Sequence, residues 1–156
     1  MKKLILLLLV LSLFLTGCGA KETTAPHAYE DLTIHIPTDY IDLSDEEFAQ
    51  GLAFVFGLDP IALNGMREEK ATFEAYGLEL DLERYGDFLM MSNQVDADLS
   101  KKDGVLYFTY TSEEFTYVVS LWETEEAFWT VQAYCPTADY SKVKSDIWNI
   151  LKSVTV

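Results

Sequence analysis

The side chains of this 156-residue chain that could do acid–base, nucleophilic or metal chemistry are few in kind. They are two cysteines, Cys18 and Cys135, two histidines, His27 and His35, and an excess of carboxylates, 26 Asp and Glu against 11 Lys and Arg. The acidic pairs Glu46-Glu47, Glu113-Glu114 and Glu125-Glu126 fall in expected turns or exposed surface, where a carboxyl group raised toward neutral pH is not expected. His27 stands in a polar stretch and His35 on the polar side of a short strand, so neither is assigned a catalytic role. Asp96-Ala-Asp98-Leu-Ser100 offers oxygens at alternate positions, as a calcium loop does. The pattern then fails, because Lys101 stands where the turn glycine belongs and Tyr107 where the bidentate glutamate belongs. The chain contains no G-x-S-x-G, G-x-G-x-x-G, H-E-x-x-H or paired C-x-x-C. The reading is therefore non-enzymatic, with no catalytic residue, cofactor or metal site, and carboxylate-based hydrolysis is the one enzymatic class left open.

Cys18 is where covalent chemistry is expected. Met1-Lys2-Lys3 followed by an apolar run from Leu4 to Leu15 is a charged start and a short hydrophobic segment, a secretion leader rather than a permanent span. It ends in Leu15-Thr16-Gly17-Cys18, which resembles a bacterial lipobox. The resemblance implies diacylglycerol transfer to the Cys18 thiol, cleavage after Gly17, and a mature chain starting at the lipidated cysteine. Acyl chains there, palmitate among them, give the doubled hydrophobic signal that stable anchoring needs. The expected location is the extracytoplasmic face of the cell membrane. The expected organisation is a leader over 1–17, a lipidated flexible tether over 18–31 and one globular domain over 32–156. With Cys18 consumed, Cys135 is left unpaired and is expected to be a small buried hydrophobe, inert to thiol reagents.

Charge narrows the partners. The formal net charge is −15, and loss of Lys2 and Lys3 with the leader makes it −17. Nucleic acid is excluded, since phosphate recognition needs basic clusters, and lying flat on anionic lipid is disfavoured by like-charge repulsion. Hydrophobic residues at 49% and aromatics at 13% are those of a globular chain with one core.

The elements that must position these residues centre on 104–136, whose alternation predicts three strands over 105–111, 115–123 and 127–135. A two- or four-residue loop at Glu113-Glu114 pairs Phe108 with Val119 and Leu106 with Leu121. A three-residue loop at Thr124-Glu125-Glu126 pairs Leu121 with Trp129 and Val119 with Val131. All three apolar sets then share one face, with Cys135 beside Trp129, Val131 and Ala133. The other face holds Trp122, Phe128 and Tyr134, the apolar patch expected to bind a partner wherever no helix covers it.

Around the meander, Leu32–Ile36 reads as a strand and Ser44–Glu47 as a capping box opening a short helical turn. A hairpin of 52–57 with 61–67 should follow, a single helix over 45–56 being the alternative. Helices are expected over 67–76, over 81–93 with Leu82, Tyr85, Phe88 and Leu89 on the covering face, and over 140–151, with a short edge strand at 154–156. Met66, Met90 and Met91 read as core filler.

Together, Ile36-Pro37-Thr38-Asp39-Tyr40, the Asp103-Gly104 turn, and Ala127 to Pro136 followed by Asp139-Tyr140 and a closing helix resemble the PsbP-like family of bacterial lipoproteins. The resemblance spans Leu32 to Val156. It implies an α+β fold, an antiparallel sheet with flanking helices in an α/β/α sandwich. The same fold occurs in the extrinsic photosystem II subunit and in a nuclear-transport factor that binds a small GTPase. Those relatives act by docking onto proteins. The expected function is a membrane-anchored interaction or scaffold module with an unidentified protein partner. The competing class is a small-ligand or metal-binding lipoprotein serving a transporter.

Overall fold

The computed structural model describes residues 23–156; the leader expected over 1–17 and the lipidation residue Cys18 lie outside the described residues. Nine strands and three helices follow in order: β1 (Thr24–Tyr29), β2 (Leu32–Pro37), β3 (Ile41–Asp42), β4 (Phe54–Leu58), β5 (Ile61–Glu69), α1 (Lys70–Ala75), α2 (Leu82–Ser92), β6 (Ser100–Lys102), β7 (Val105–Ser112), β8 (Phe115–Glu123), β9 (Ala127–Pro136) and α3 (Thr137–Leu151). A single 3₁₀ turn at Glu47–Ala49 stands where the helical turn is expected, and the hairpin reading of the segment after it holds.

The strands form a seven-stranded antiparallel sheet in the order β3-β4-β5-β9-β8-β7-β6, with β1 and β2 as a separate antiparallel hairpin. Helix α2 lies on one face of the sheet; α3 and the β1–β2 hairpin lie on the other. The fold is thus the α+β sandwich expected. Asp103 (φ 52°) and Gly104 (φ 87°) make the β6–β7 turn in the left-handed region that glycine tolerates without penalty.

Three expectations are corrected. The polar stretch through Asp31 is not all tether: Thr24–Tyr29 pairs residue by residue with β2, Tyr29 stacks on Phe54, and His27 meets Phe56 edge to face. The folded unit therefore begins near Thr24, not Leu32. Second, Arg67 to Glu69 continue β5 rather than opening a helix, because Arg67↔Trp129, Glu68↔Phe128 and Glu69↔Ala127 extend the ladder with β9.

The third correction concerns register. The β7–β8 pairing is as expected, Phe108↔Val119 and Leu106↔Leu121. The β8–β9 pairing is one residue away, Val119↔Gln132 and Leu121↔Thr130. The cause is the turn. The Thr124 N–H donates to the Ala127 carbonyl at 2.9 Å and the Ala127 N–H to the Thr124 hydroxyl at 3.0 Å, so only Glu125 and Glu126 remain at the tip. A loop shorter by one residue moves the whole Trp129 set to the opposite face from Leu106, Phe108, Val119 and Leu121.

Each face consequently has its own core. Trp129, Val131, Ala133 and Cys135 pack with Val118, with Ile34 and Ile36 of β2, and with Ile147 and Leu151 of α3. Leu106, Phe108, Val119, Leu121 and Phe128 pack with Tyr85 and Leu89 of α2 and with Phe73 of α1. Helix α2 starts where expected, the Asp81 side chain accepting the Arg84 N–H. Met90 is core filler as expected, but Met91 is 72% exposed. Cys135 is fully buried, and burial, followed by the Asp139 charge, raises its thiol pKa. At the far end the predicted edge strand reduces to one backbone pairing, Thr33 with Thr155.

Candidate functional site

The register shift decides which residues stand on the open part of the sheet. On the α2 side, β9 presents Phe128, Thr130, Gln132 and Tyr134, β8 presents Tyr117, Val119 and Leu121, and β7 presents Leu106, Phe108 and Tyr110. Helix α2 covers the end of this face that holds Leu106, Leu121 and Phe128. Toward the other end the cover stops and a run of aromatic rings remains half exposed. Tyr110 and Tyr117 stack at 4.7 Å between centroids and 6° between planes, Tyr117 and Tyr134 follow at 5.2 Å and 26°, and Phe115 meets Tyr134 edge on at 6.1 Å. Phe115 itself is 36% exposed.

Cross-strand pairing places these rings side by side. Tyr110↔Tyr117 and Tyr117↔Tyr134 are direct partners, and Ala62 of β5 continues the row beyond Tyr134. Burial first, and then the neighbouring phenol, raises the Tyr110 pKa; for Tyr117 burial leads, followed by Tyr134 and the Glu113 carboxylate. The phenols are therefore neutral hydrogen-bonding groups on an apolar floor at any physiological pH. Two depressions flank them. One, of about 170 Å³, has Asn64, Gln132 and Thr130 around Phe108 and Val119; the other, of about 470 Å³, runs along Asp96, Thr111 and Tyr117.

Of the three residues expected to form a binding patch, only Tyr134 belongs to this surface. Phe128 is 1% exposed, stacked on Tyr85 at 4.4 Å under α2. Trp122 packs against the α3-side core, its indole N–H donating to the Ser120 hydroxyl at 3.1 Å. The missed members, Tyr110, Tyr117 and Phe115, carry a signal the sequence does contain. Both tyrosines stand near the Glu113-Glu114 turn, where they alternate onto one side.

Two further polar features lie away from this face. At the opposite end of the sheet, Asp31 accepts from the Trp129 indole (2.7 Å), the Thr124 hydroxyl (2.6 Å) and Arg67 (3.2 Å), and Arg67 also pairs with Glu30 and Glu69. Burial pushes Asp31 upward, but the bonds from Thr124, Arg67 and Trp129 and the Arg67 charge outweigh it and bring it to about 2. Every one of its bonds ties the β1–β2 turn to the sheet, so this cluster is structural. A groove of about 410 Å³ lies between the β1–β2 hairpin, the Asp59-Pro60 turn and α3, with His35, Asp59, Asp146 and Asn149 on its rim. Among the described residues no group of three or more His, Cys, Asp or Glu could hold a metal ion, and no helix is long and apolar enough to cross a membrane.

Comparison with known proteins bears on the fold. No family model matches the chain. No curated protein matches it by sequence. Among solved structures it is similar to cyanobacterial PsbP (CyanoP) from Synechocystis sp. PCC 6803, with a TM-score of 0.55 and 16% identity over 91% of this chain and 98% of the other. It is also similar to a protein from Bacteroides thetaiotaomicron, with a TM-score of 0.55 and 11% identity over 87% of this chain; there it spans about half of the longer protein, 48%. The fold is PsbP-like, as the sequence motifs imply, and at these identities the likeness is one of fold.

Proposed function

We propose that the chain is a lipid-anchored module on the extracytoplasmic face of the cell membrane, held by acyl chains on Cys18, that works by docking a protein rather than by catalysis. The observation that carries the docking reading is the half-exposed ring ladder of Tyr110, Tyr117, Tyr134 and Phe115. Rings held rigid by a sheet offer large contact area with little side-chain entropy left to lose, and tyrosine is enriched where proteins meet. The anchoring part rests on the Leu15-Thr16-Gly17-Cys18 motif behind a short apolar leader.

Both parts can be tested in cells. Metabolic labelling with palmitate should mark the wild-type chain and not Cys18→Ala, and that variant should leave the membrane fraction; an unlabelled wild type would end the anchoring claim. A photocrosslinking side chain at Tyr117 should trap a protein that the same probe at Lys144, on the outer side of α3, does not. Equal yields at the two positions would remove the tyrosine face as the docking site.

The groove beside α3 favours a second reading, a small-ligand carrier serving a transporter, because its apolar walls from Pro37, Ile61 and Val143 carry polar groups at the rim. Thermal shift over a ligand panel decides it. Stabilisation by one ligand class, abolished by Ile61→Trp, would favour this reading, and no shift would leave docking alone.

A further inference from the structure

Among the described residues, the charges around the tyrosine face are of one sign. Asp96 is the single charged residue lining its two depressions, and the turn at its border is Glu113-Glu114, with Glu113 acting on the Tyr117 phenol. Among the described residues the basic side chains stand elsewhere: Lys101 of β6 pairs with Leu106 at the end that α2 covers, and Lys152 follows α3. Arg67 and Lys70 are paired with carboxylates at the far end of β5 and in α1, Arg84 sits beside Asp81 in the first turn of α2, and Lys102 lies over Trp148 on the α3 side. Lys142 and Lys144 belong to α3, on the opposite side of the sheet.

We infer that this face receives a segment of a partner protein carrying arginine or lysine, whose cationic groups donate to the phenol oxygens of Tyr110, Tyr117 and Tyr134 while Asp96 and Glu113 complete the charge pairing. The inference rests on the docking reading and specifies its partner. The stacked rings turn their faces to one another, so what they offer a cation is their phenol oxygens, which accept from guanidinium and ammonium donors. An acidic border adds attraction at longer range and penalises acidic competitors. Three phenols paired across strands, at 4.7 Å and 5.2 Å between ring centroids, give a row of acceptors longer than one guanidinium. A run with basic residues at alternate positions fits it better than a single charge.

The test uses the full lipidated chain in neutral phosphatidylcholine vesicles and three fluorescent peptides, (Arg-Gly)5, (Ser-Gly)5 and (Glu-Gly)5. The arginine peptide should bind at least tenfold more tightly than the serine peptide, and the glutamate peptide should not bind. Raising salt from 50 to 300 mM should weaken binding several-fold. Tyr117→Leu and Tyr134→Leu should each weaken it at least fivefold, and Glu113→Gln about twofold, whereas Tyr76→Leu, on α1's exposed border, should leave it unchanged. Near-ultraviolet circular dichroism of each variant shows that the fold is kept. Equal binding of the three peptides, no binding at all, or tyrosine variants that bind like wild type would overturn the inference. A partner trapped at Tyr117 in cells whose contacting segment is neutral or acidic would also overturn it while leaving the docking reading intact. Self-association of the chain through this face at micromolar concentration would do the same.

Discussion

On the α3 side of the sheet, a 15-residue helix and the β1–β2 hairpin share the cover, and Trp129, Val131, Ala133 and Cys135 beneath them are fully buried. On the α2 side an 11-residue helix does most of the work, and the tyrosines of β7, β8 and β9 stay half exposed. The difference is one of reach. Eleven residues make a helix about 16 Å long, whereas seven strands span about 29 Å, so α2 cannot cover the face it lies on. The face covered along its length became a sealed core, and the face that α2 and α1 cover at one end kept a strip of half-exposed rings. On the docking proposal, stability and function fall on the two sides of one sheet.

That separation makes ordered predictions. Trp129→Ala, on the sealed side, removes the largest fully buried side chain and the donor to Asp31, and should cost about 3–5 kcal/mol in urea unfolding. Gly65→Ala should cost about 1–3 kcal/mol, because a Cβ there would meet the Phe54 ring at 2.2 Å. A neutral result at either position would mean that the α3 side is looser than its burial implies.

Asp31→Asn should cost about 1–2 kcal/mol at pH 7 by weakening charge-assisted bonds to Arg67, Thr124 and Trp129. Its pH dependence gives a second check. The folded carboxyl sits at about 2, below its unfolded value near 4. Its stabilisation is therefore complete above about pH 4 and lost as pH falls toward 2, where variant and wild type should converge. A difference between them that does not change across that window would show that Asp31 contributes shape rather than charge. Tyr117→Leu, on the open side, should cost less than about 1 kcal/mol, the scale of a ring pair still half in water. A loss as large as that of Trp129→Ala would erase the contrast between the faces.

Much of this architecture is legible in the chain, and the failures have local causes. Alternation finds β7, β8 and β9, and the Glu113-Glu114 turn sets Phe108 against Val119. Alternation cannot count turn residues: with Thr124 closing the ladder instead of joining the loop, every β9 side chain changes sides. Strand β1, Thr-Ala-Pro-His-Ala-Tyr, has little strand signal of its own, and pairing with β2 and contact with Phe54 and Phe56 hold it. Arg67 to Glu69 have helix-compatible residue types, but β9 supplies a ladder that overrides them. At the candidate site only Tyr134 was anticipated: the one-residue shift put Trp122 on the other face and brought Tyr110 and Tyr117 beside Tyr134, while Phe128 stays on that face under α2.

The early start of β1 has a consequence for how a partner is found. Thr24 is only six positions beyond Cys18, and six peptide units extend at most about 20 Å. On the proposed anchoring at Cys18, the domain would be leashed to a thin layer above the lipid and would search in two dimensions. A partner in the same membrane then meets it at an effective concentration in the millimolar range, as for other short linkers. Under such confinement a contact with a dissociation constant near 0.1 mM is mostly occupied, so a strip of three tyrosines suffices where a freely diffusing protein would need a much larger interface.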